Sequence, residues 1–127
     1  MSEDFSSRYL YPLGRSLLGL YFLLPGLAKV FFFQENLNVV IEREVPLPVF
    51  SLALVGAAQI FFGSMLMFGK FVHFGSLVLA VVTILINLYI HDFWNMSDNP
   101  DQAHETQNFV KNLGILAGLL VLSRNKN

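Results

Sequence analysis

The chain has no cysteine and few charged residues, and both absences narrow what it can do. Without cysteine there can be no disulfide, thiol exchange, thiolate metal site or iron–sulfur cluster. Charged residues make up 13% of the 127 positions, against roughly a quarter in a soluble domain. The net charge is −1 with no Lys/Arg cluster, so nucleic acid is not an expected partner. Glycine-rich nucleotide-binding motifs are also absent.

Apolar residues are what the chain has in excess. They make up 54% of it, and the mean hydropathy is +0.56, which is more apolar surface than a soluble domain of this size can bury. A bilayer span needs about 20 mainly apolar residues, and candidate spans cover residues 13–33, 47–69, 71–90 and 105–122. The sequence therefore predicts an all-α integral membrane protein, with a single domain over residues 1–127 that forms a four-transmembrane-helix bundle.

The fourth candidate span is the least apolar of the four. Its uninterrupted apolar run covers only residues 109–122 and includes Lys111. Asn99 suits an N-cap and Pro100 suits the first helical position, so one helix is expected from Pro100 to about Leu122. Residues 34–46 mix apolar and charged side chains, which is typical of a short amphipathic helix on the membrane surface.

Basic residues predict the orientation, because Lys and Arg accumulate on the cytoplasmic side. With four spans both termini share one side, and seven of the nine acidic residues fall on the other. Both termini are therefore expected in the cytoplasm. The basic residues on their side are Arg8, Arg15, Lys70, Arg124 and Lys126.

Small residues indicate which helix faces pack together, since glycine lets two membrane helices approach closely. At about 100° per residue, Arg15 and Lys29 share a glycine stripe on the first span, so Lys29 should point into the bundle. In the second span glycines flank Gln59, whose amide fits either an interhelical hydrogen bond or a ligand contact. The residues expected to be structural or interfacial are Arg15, Gly19, Gly26, Gly56, Gly63 and the Gly-x-x-x-Gly pair Gly114 and Gly118.

Polar residues from several spans are expected to meet at the non-cytoplasmic end of the bundle. They fit a site for a small amphipathic ligand. They fit equally a structural cap in which Lys29 and Lys111 neutralise Asp92 and Glu105, and Trp94 alone also fits an interface anchor. No metal site is expected. The candidate ligand-binding residues are Lys29, Gln59, Asn87, His91, Asp92, Trp94, Glu105, Lys111 and Asn112.

Four segments together resemble the DoxX family of small four-span bacterial inner-membrane proteins over nearly the whole chain. They are "GRSLLGLYFLLPGLAKVF", "VPLPVFSLALVGAAQIFFGSMLMFG", "HDFWNM" and "ETQNFVKNLGILAGLLVL". The resemblance implies a multi-pass protein of the bacterial cytoplasmic membrane. Some family members are associated with quinone-linked respiratory or sulfur-compound oxidation, and others with membrane oxidoreductase assemblies. Family sequences often have an acidic residue where Gln59 stands, and an amide cannot exchange protons there.

The sequence favours an accessory or binding protein over an autonomous enzyme. His73, His91 and His104 are too far apart along the predicted bundle to hold a haem, and no intrinsic cofactor is expected. The first hypothesis is a quinone- or lipid-interacting accessory subunit of a membrane redox system, with oxidoreductase subunits or another copy of the chain as partners. The alternatives are a non-catalytic membrane anchor or assembly partner, and small-molecule transport by an oligomer.

Overall fold

The computed structural model describes residues 3–126, and within that range it contains helices and no strand. Residues 1, 2 and 127 of the predicted domain lie outside the described part. A helical turn (Glu3–Phe5) and a π-helical segment (Ser6–Leu10) lead into α1, and a 3-10 turn (Phe93–Asn95) precedes the last helix. The helices are α1 (Tyr11–Phe31), α2 (Phe33–Glu42), α3 (Pro48–Phe68), α4 (Val72–Tyr89) and α5 (Gln102–Leu122).

Within residues 3–126, three helical stretches are long and apolar enough to cross a membrane. They are Ser6–Phe31, Pro48–Phe68 and Val72–Asn95. Large apolar side chains point outward from these stretches, and Phe31, for example, is 73% exposed. Such a surface suits contact with lipid rather than with water. The chain is therefore an all-α membrane protein. Helix α5 has 21 residues, enough to span, but it is not among these three because its first half is polar.

The short amphipathic segment expected between the first two spans is helix α2. It buries Val40 and leaves its charged residues exposed. Helix α5 begins at Gln102, two residues later than expected, with Asp101 and not Asn99 at the N-cap position. The Asn99 Oδ1 instead accepts a hydrogen bond from the backbone N–H of Asp101 at 2.8 Å, in the turn before the helix.

Helices α1 and α3 touch along their glycines. A Cβ atom on Gly19 would lie 2.5 Å from the carbonyl oxygen of Gly63, and a Cβ on Gly63 would lie 2.8 Å from that of Gly19. A Cβ on Gly26 would lie 2.9 Å from the Cβ of Gln59. Any side chain at these glycines would therefore push the helices apart.

Gly114 and Gly118 on α5 make no close helix contact within the described residues. Both residues are exposed, and a Cβ on Gly114 would meet no atom within 4 Å. The nearest atom to a Cβ on Gly118 would be the Cδ2 of Leu18, at 3.9 Å. These glycines lie on the outer side of α5, since the helix turns Asn112 and Leu119 toward the bundle instead.

Arg15 caps the end of α3. Its Nε donates a hydrogen bond to the carbonyl oxygen of Leu66 at 2.8 Å, and its guanidinium lies 5.7 Å from the ring centre of Tyr11. Gly69 ends α3 in the left-handed conformation, with φ of 75°. A cation beside the last carbonyls of a helix stabilises it through their partial negative charge. Arg15 is thus held at the end of α3 by contacts within the protein.

The packed core lies at the end of the bundle where α1 begins and α5 ends. Its buried members include Leu66 and Val72 beside the turn between α3 and α4, and Leu122 at the end of α5. The Nδ1 of His73 lies 2.5 Å from the carbonyl oxygen of Ser123, which joins α4 and α5 at that end. The polar residues Asn87, His91, Glu105 and Asn112 lie toward the opposite end of the bundle.

Candidate functional site

A cavity of about 530 Å³ lies in the half of the bundle away from this core. Small-molecule sites commonly measure about 300–1,000 Å³ and combine apolar walls with a few polar groups. All five helices contribute to the lining, and α2 with the loop after it covers one side through Val40 and Pro46. The candidate ligand-binding residues that line the cavity are Lys29, Gln59, His91 and Asn112.

Lys29 lies in the cavity wall because Gly56 leaves room for its aliphatic stem. A Cβ on Gly56 would lie 3.4 Å from the Cβ and 3.6 Å from the Cδ of Lys29. The side chain is partly buried, and it forms no ion pair with any residue from 3 to 126. Its charge thus has no counterpart in the described part of the protein.

Gln59 and Thr83 are the most deeply buried polar residues of the cavity wall, and Gln59 is the larger of the two. It is 2% exposed, and its Oε1 has no hydrogen-bond partner among the described residues. A buried amide oxygen without a partner costs roughly 1–3 kcal/mol. The predicted interhelical hydrogen bond is therefore not made through this oxygen, which leaves it for a ligand or a water molecule.

Asn87 and Asn112 belong to a chain of hydrogen bonds that joins α1, α4 and α5. The Tyr21 hydroxyl donates to Asn112 Oδ1 at 2.8 Å, and Asn112 Nδ2 donates to Asn87 Oδ1 at 3.1 Å. Asn87 Nδ2 in turn donates to the carbonyl oxygen of Phe109 at 3.2 Å. Asn87 is therefore held behind the cavity wall, where it orients Asn112.

A polar cap closes the same end of the bundle, and its cation is Arg43. We call Arg43, His91, Asp92, Glu105 and Asn108 the Arg43 cluster. The Arg43 Nη1 lies 2.8 Å from Asp92 Oδ1 and donates to the carbonyl oxygen of Ile90 at 2.7 Å, while its Nη2 lies 3.7 Å from Glu105 Oε2. The prediction that Lys29 and Lys111 neutralise Asp92 and Glu105 is therefore wrong.

His91 connects the Arg43 cluster to the cavity. Its Nδ1 lies 3.0 Å from Glu105 Oε2, and the residue also lines the cavity. Glu105 is buried and accepts a further hydrogen bond from Asn108 Nδ2 at 2.9 Å. With its Nδ1 directed to Glu105, the other ring nitrogen of His91 is free for another partner.

Trp94 and Lys111 lie outside the cavity, contrary to their predicted place in the site. Trp94 is 47% exposed and packs edge-to-face on Phe93 and Phe109, with ring centres 5.3 and 5.6 Å away. Helix α4 ends at Tyr89, so the helical spacing that would align Trp94 with His91 does not extend to it. Lys111 is exposed, because it precedes Asn112 by one residue and so lies about 100° around the helix.

The family model for DoxX matches residues 11–92, well over half of the chain. The match includes α1 to α4 and the cavity residues Lys29, Gln59 and His91. The chain therefore belongs to the DoxX family. The match ends before α5, so the resemblance noted in that helix lies beyond it. No curated protein and no solved structure matches the chain.

Proposed function

We propose that this member of the DoxX family binds a quinone or a lipid in its cavity, as an accessory subunit of a redox system in the bacterial inner membrane. The observation that carries the proposal is the composition of the cavity. Most of its lining is apolar, while Lys29 of α1, Gln59 of α3 and Asn112 of α5 supply polar groups together with His91, which follows α4. Such a lining suits a molecule with a polar head and an apolar tail.

The rim of the cavity supports entry of the ligand from the bilayer. Leu54 of α3 and Leu85 and Tyr89 of α4 line the cavity and are also exposed on the outside of the bundle. A membrane-dissolved molecule would meet these apolar side chains first. Its tail can then remain against the rim while its head reaches Lys29 and Gln59.

We further propose four spans with both termini in the cytoplasm. Helix α5 supports the fourth span through its length of 21 residues and through Val121, which is 77% exposed next to the apolar surface of the other helices. The basic residues near both termini support the orientation. In this arrangement the cavity lies at the non-cytoplasmic end of the bundle.

The chemistry of the side chains supports a role as accessory subunit. No group of three or more metal-ligating side chains occurs within residues 3–126, and the sequence has no cysteine. Electrons would have to come from a partner protein or from the bound molecule itself. His91 and Glu105 can hold a proton close to that molecule, since the imidazole lines the cavity and contacts the carboxylate.

The outer face of α5 favours a second candidate function, that of a non-catalytic anchor or assembly partner. Gly114 and Gly118 form a smooth exposed surface on which another membrane helix can pack closely. Crosslinking from Leu113, which lies exposed beside them, would recover a reproducible protein partner if this function is correct. Recovery of lipid alone would contradict it.

The first proposal is tested by identifying small molecules that stay with gently purified protein and by measuring quinol-linked electron flow in cells. We expect bound quinone or lipid in the wild type and less of it in His91→Ala and Lys29→Ala. Lys111→Ala is the matched control, because it removes a positive charge from an exposed position outside the cavity. An unchanged ligand content and unchanged electron flow in both cavity variants would contradict the proposal.

A further inference from the structure

The charge of the cavity indicates what kind of head group it accepts. Among the described residues that line it, Lys29 is the only Lys or Arg, and no Asp or Glu is present. Placing a charge in apolar surroundings without a counter-charge is costly. A neutral ligand would leave that cost in place, whereas an anionic one would offset part of it through the attraction of opposite charges.

The nearest acidic residues are engaged elsewhere. Asp92 contacts Arg43 at 2.8 Å and accepts a hydrogen bond from Asn95 Nδ2 at 3.0 Å. Glu105 is in contact with His91, Arg43 and Asn108. Neutralising Lys29 with either carboxylate would require breaking these contacts, so the counter-charge is better supplied by the ligand.

We propose that the cavity selects an amphiphile with an anionic head, a carboxylate or a phosphate, on a single apolar chain. This inference rests on the proposed function, because it assumes that the cavity is a binding site. It adds that the Lys29 ammonium contacts the head and decides which amphiphiles bind. The charge-assisted hydrogen bond between an ammonium and an anionic oxygen is about twice as strong as a neutral one.

Gln59 supplies a second contact to the head. It is 2% exposed, and a Cβ on Gly26, one helical turn before Lys29, would lie 2.9 Å from its Cβ. Lys29 and Gln59 therefore line neighbouring parts of the same wall. Rotation of the Gln59 amide by half a turn exchanges Oε1 with Nε2, so the side chain can donate to an anionic oxygen or accept from a protonated one.

The remainder of the cavity receives the chain of the ligand. Leu52, Val55 and Ile86 form apolar wall, and Leu54 and Leu85 lead from it to the outside of the bundle. A volume of about 530 Å³ is enough for a head and part of one chain, with the rest lying among the lipids. A single-chain amphiphile thus meets both the charge and the shape of the site.

The test compares three ligands that share a hexadecyl chain and differ in head group, and it includes a quinone as a fourth ligand. Full-length protein, purified in a neutral detergent, is titrated with hexadecanoate, hexadecyl phosphate, hexadecanol and a short-chain ubiquinone analogue, and binding is followed by native mass spectrometry. We expect the wild type to bind at least one of the two anions about tenfold more tightly than hexadecanol. The two anionic arms distinguish a carboxylate head from a phosphate head.

Variants of the protein test whether Lys29 is the residue that causes the preference for an anionic head group. Lys29→Met should remove the preference for the anion and leave hexadecanol binding unchanged, whereas Lys29→Arg should retain the preference. Lys111→Met removes an exposed charge outside the cavity and should leave every affinity as it is in the wild type. If Lys29→Met does not fold, the wild type and Lys29→Arg still show whether the anion is preferred.

The outcomes separate this inference from the function on which it rests. Equal binding of hexadecanol and the anions, or tighter binding of the ubiquinone analogue than of either anion, would overturn the anionic head and leave a cavity that binds amphiphiles. An equal loss in Lys111→Met and Lys29→Met would also overturn the inference, because the preference would then come from overall charge. Failure of all four molecules to bind would contradict the proposed function as well.

Discussion

The guanidinium of Arg43 lies 2.8 Å from the carboxylate of Asp92, and this contact joins the end of α2 to the segment that follows α4. Arg43 comes directly after α2, which covers one side of the cavity through Asn36, Val39 and Val40. The ion pair therefore holds the cover of the cavity to the rest of the bundle. Its role is positional, since Arg43 itself does not line the cavity.

We expect Arg43→Met to destabilise the protein by about 1.5–3 kcal/mol, because Asp92 and Glu105 would each lose a charged partner in a partly buried place. The measurement is unfolding in mixed micelles at increasing fractions of denaturing detergent. Arg124→Met is the matched control, since Arg124 is exposed and its side chain forms no ion pair within residues 3–126. Equal stability of the two variants would show that the contacts of Arg43 contribute nothing to the free energy of unfolding.

The contact between Gly19 and Gly63 predicts opposite outcomes for two chemically identical substitutions. Gly19→Ala places a methyl group 2.5 Å from a backbone oxygen and should destabilise the bundle by about 1–3 kcal/mol. Gly114→Ala meets no atom within 4 Å and should leave stability unchanged or raise it by up to about 1 kcal/mol through helix propensity. Thermal unfolding of both variants in the same detergent tests the contact between Gly19 and Gly63. A Gly19→Ala variant as stable as the wild type would contradict this contact.

The hydrogen bond from Tyr21 to Asn112 should couple α1 to α5. In a double-mutant cycle, Tyr21→Phe and Asn112→Ala should show a coupling energy of about 0.6–1.7 kcal/mol. The control is Tyr9→Phe, because Tyr9 is exposed and its hydroxyl has no hydrogen bond within the described residues. A coupling for Tyr21 no larger than that measured with Tyr9 would mean that the two helices are held together by other contacts.

Much of the fold could be predicted because its signals are local. Long apolar runs indicated α1, α3 and α4, and the mixed composition of residues 34–46 indicated the surface helix α2. Glycine spacing indicated the helix faces on which Gly19 meets Gly63, because each glycine lies within one continuous helix and the helical repeat applies along it. Local composition could not show whether Gly114 and Gly118 face another helix or the outside, because either surface accepts small apolar residues.

The candidate site was predicted less completely, because it depends on loops. Arg43 was not a candidate, since it lies in the connection after α2, whose path is decided by tertiary contacts with Asp92 and Ile90. Trp94 was aligned with His91 by a helical spacing that stops at Tyr89. The rotation of α5 places Asn112 inside, where it bonds to Tyr21 and Asn87 on other helices, and Lys111 outside; local sequence does not reveal these contacts. The one available signal for Arg43 was that it is the sole basic residue of an otherwise acidic connection.

The absence of native cysteine makes the topology directly measurable. We expect Asp98→Cys to react with a membrane-impermeant maleimide on intact cells, and Asp4→Cys and Lys126→Cys to react only after the membrane is opened. These three residues are exposed in the structure, so burial in the protein does not limit the reaction. Labelling of both Asp98→Cys and Lys126→Cys on intact cells would mean that α5 does not cross the membrane and that the bundle has three spans.

Binding of an amphiphile in the cavity is tested most directly by filling the cavity. Val55→Trp places a large side chain in the lining, whereas Leu77→Trp adds the same side chain at an exposed position of α4 that does not line it. Both proteins and the wild type are purified gently, checked for equal thermal stability and analysed by mass spectrometry for retained quinone and lipid. We expect a retained amphiphile in the wild type and in Leu77→Trp, and its loss from Val55→Trp. The same retained molecules in all three proteins would contradict binding in the cavity.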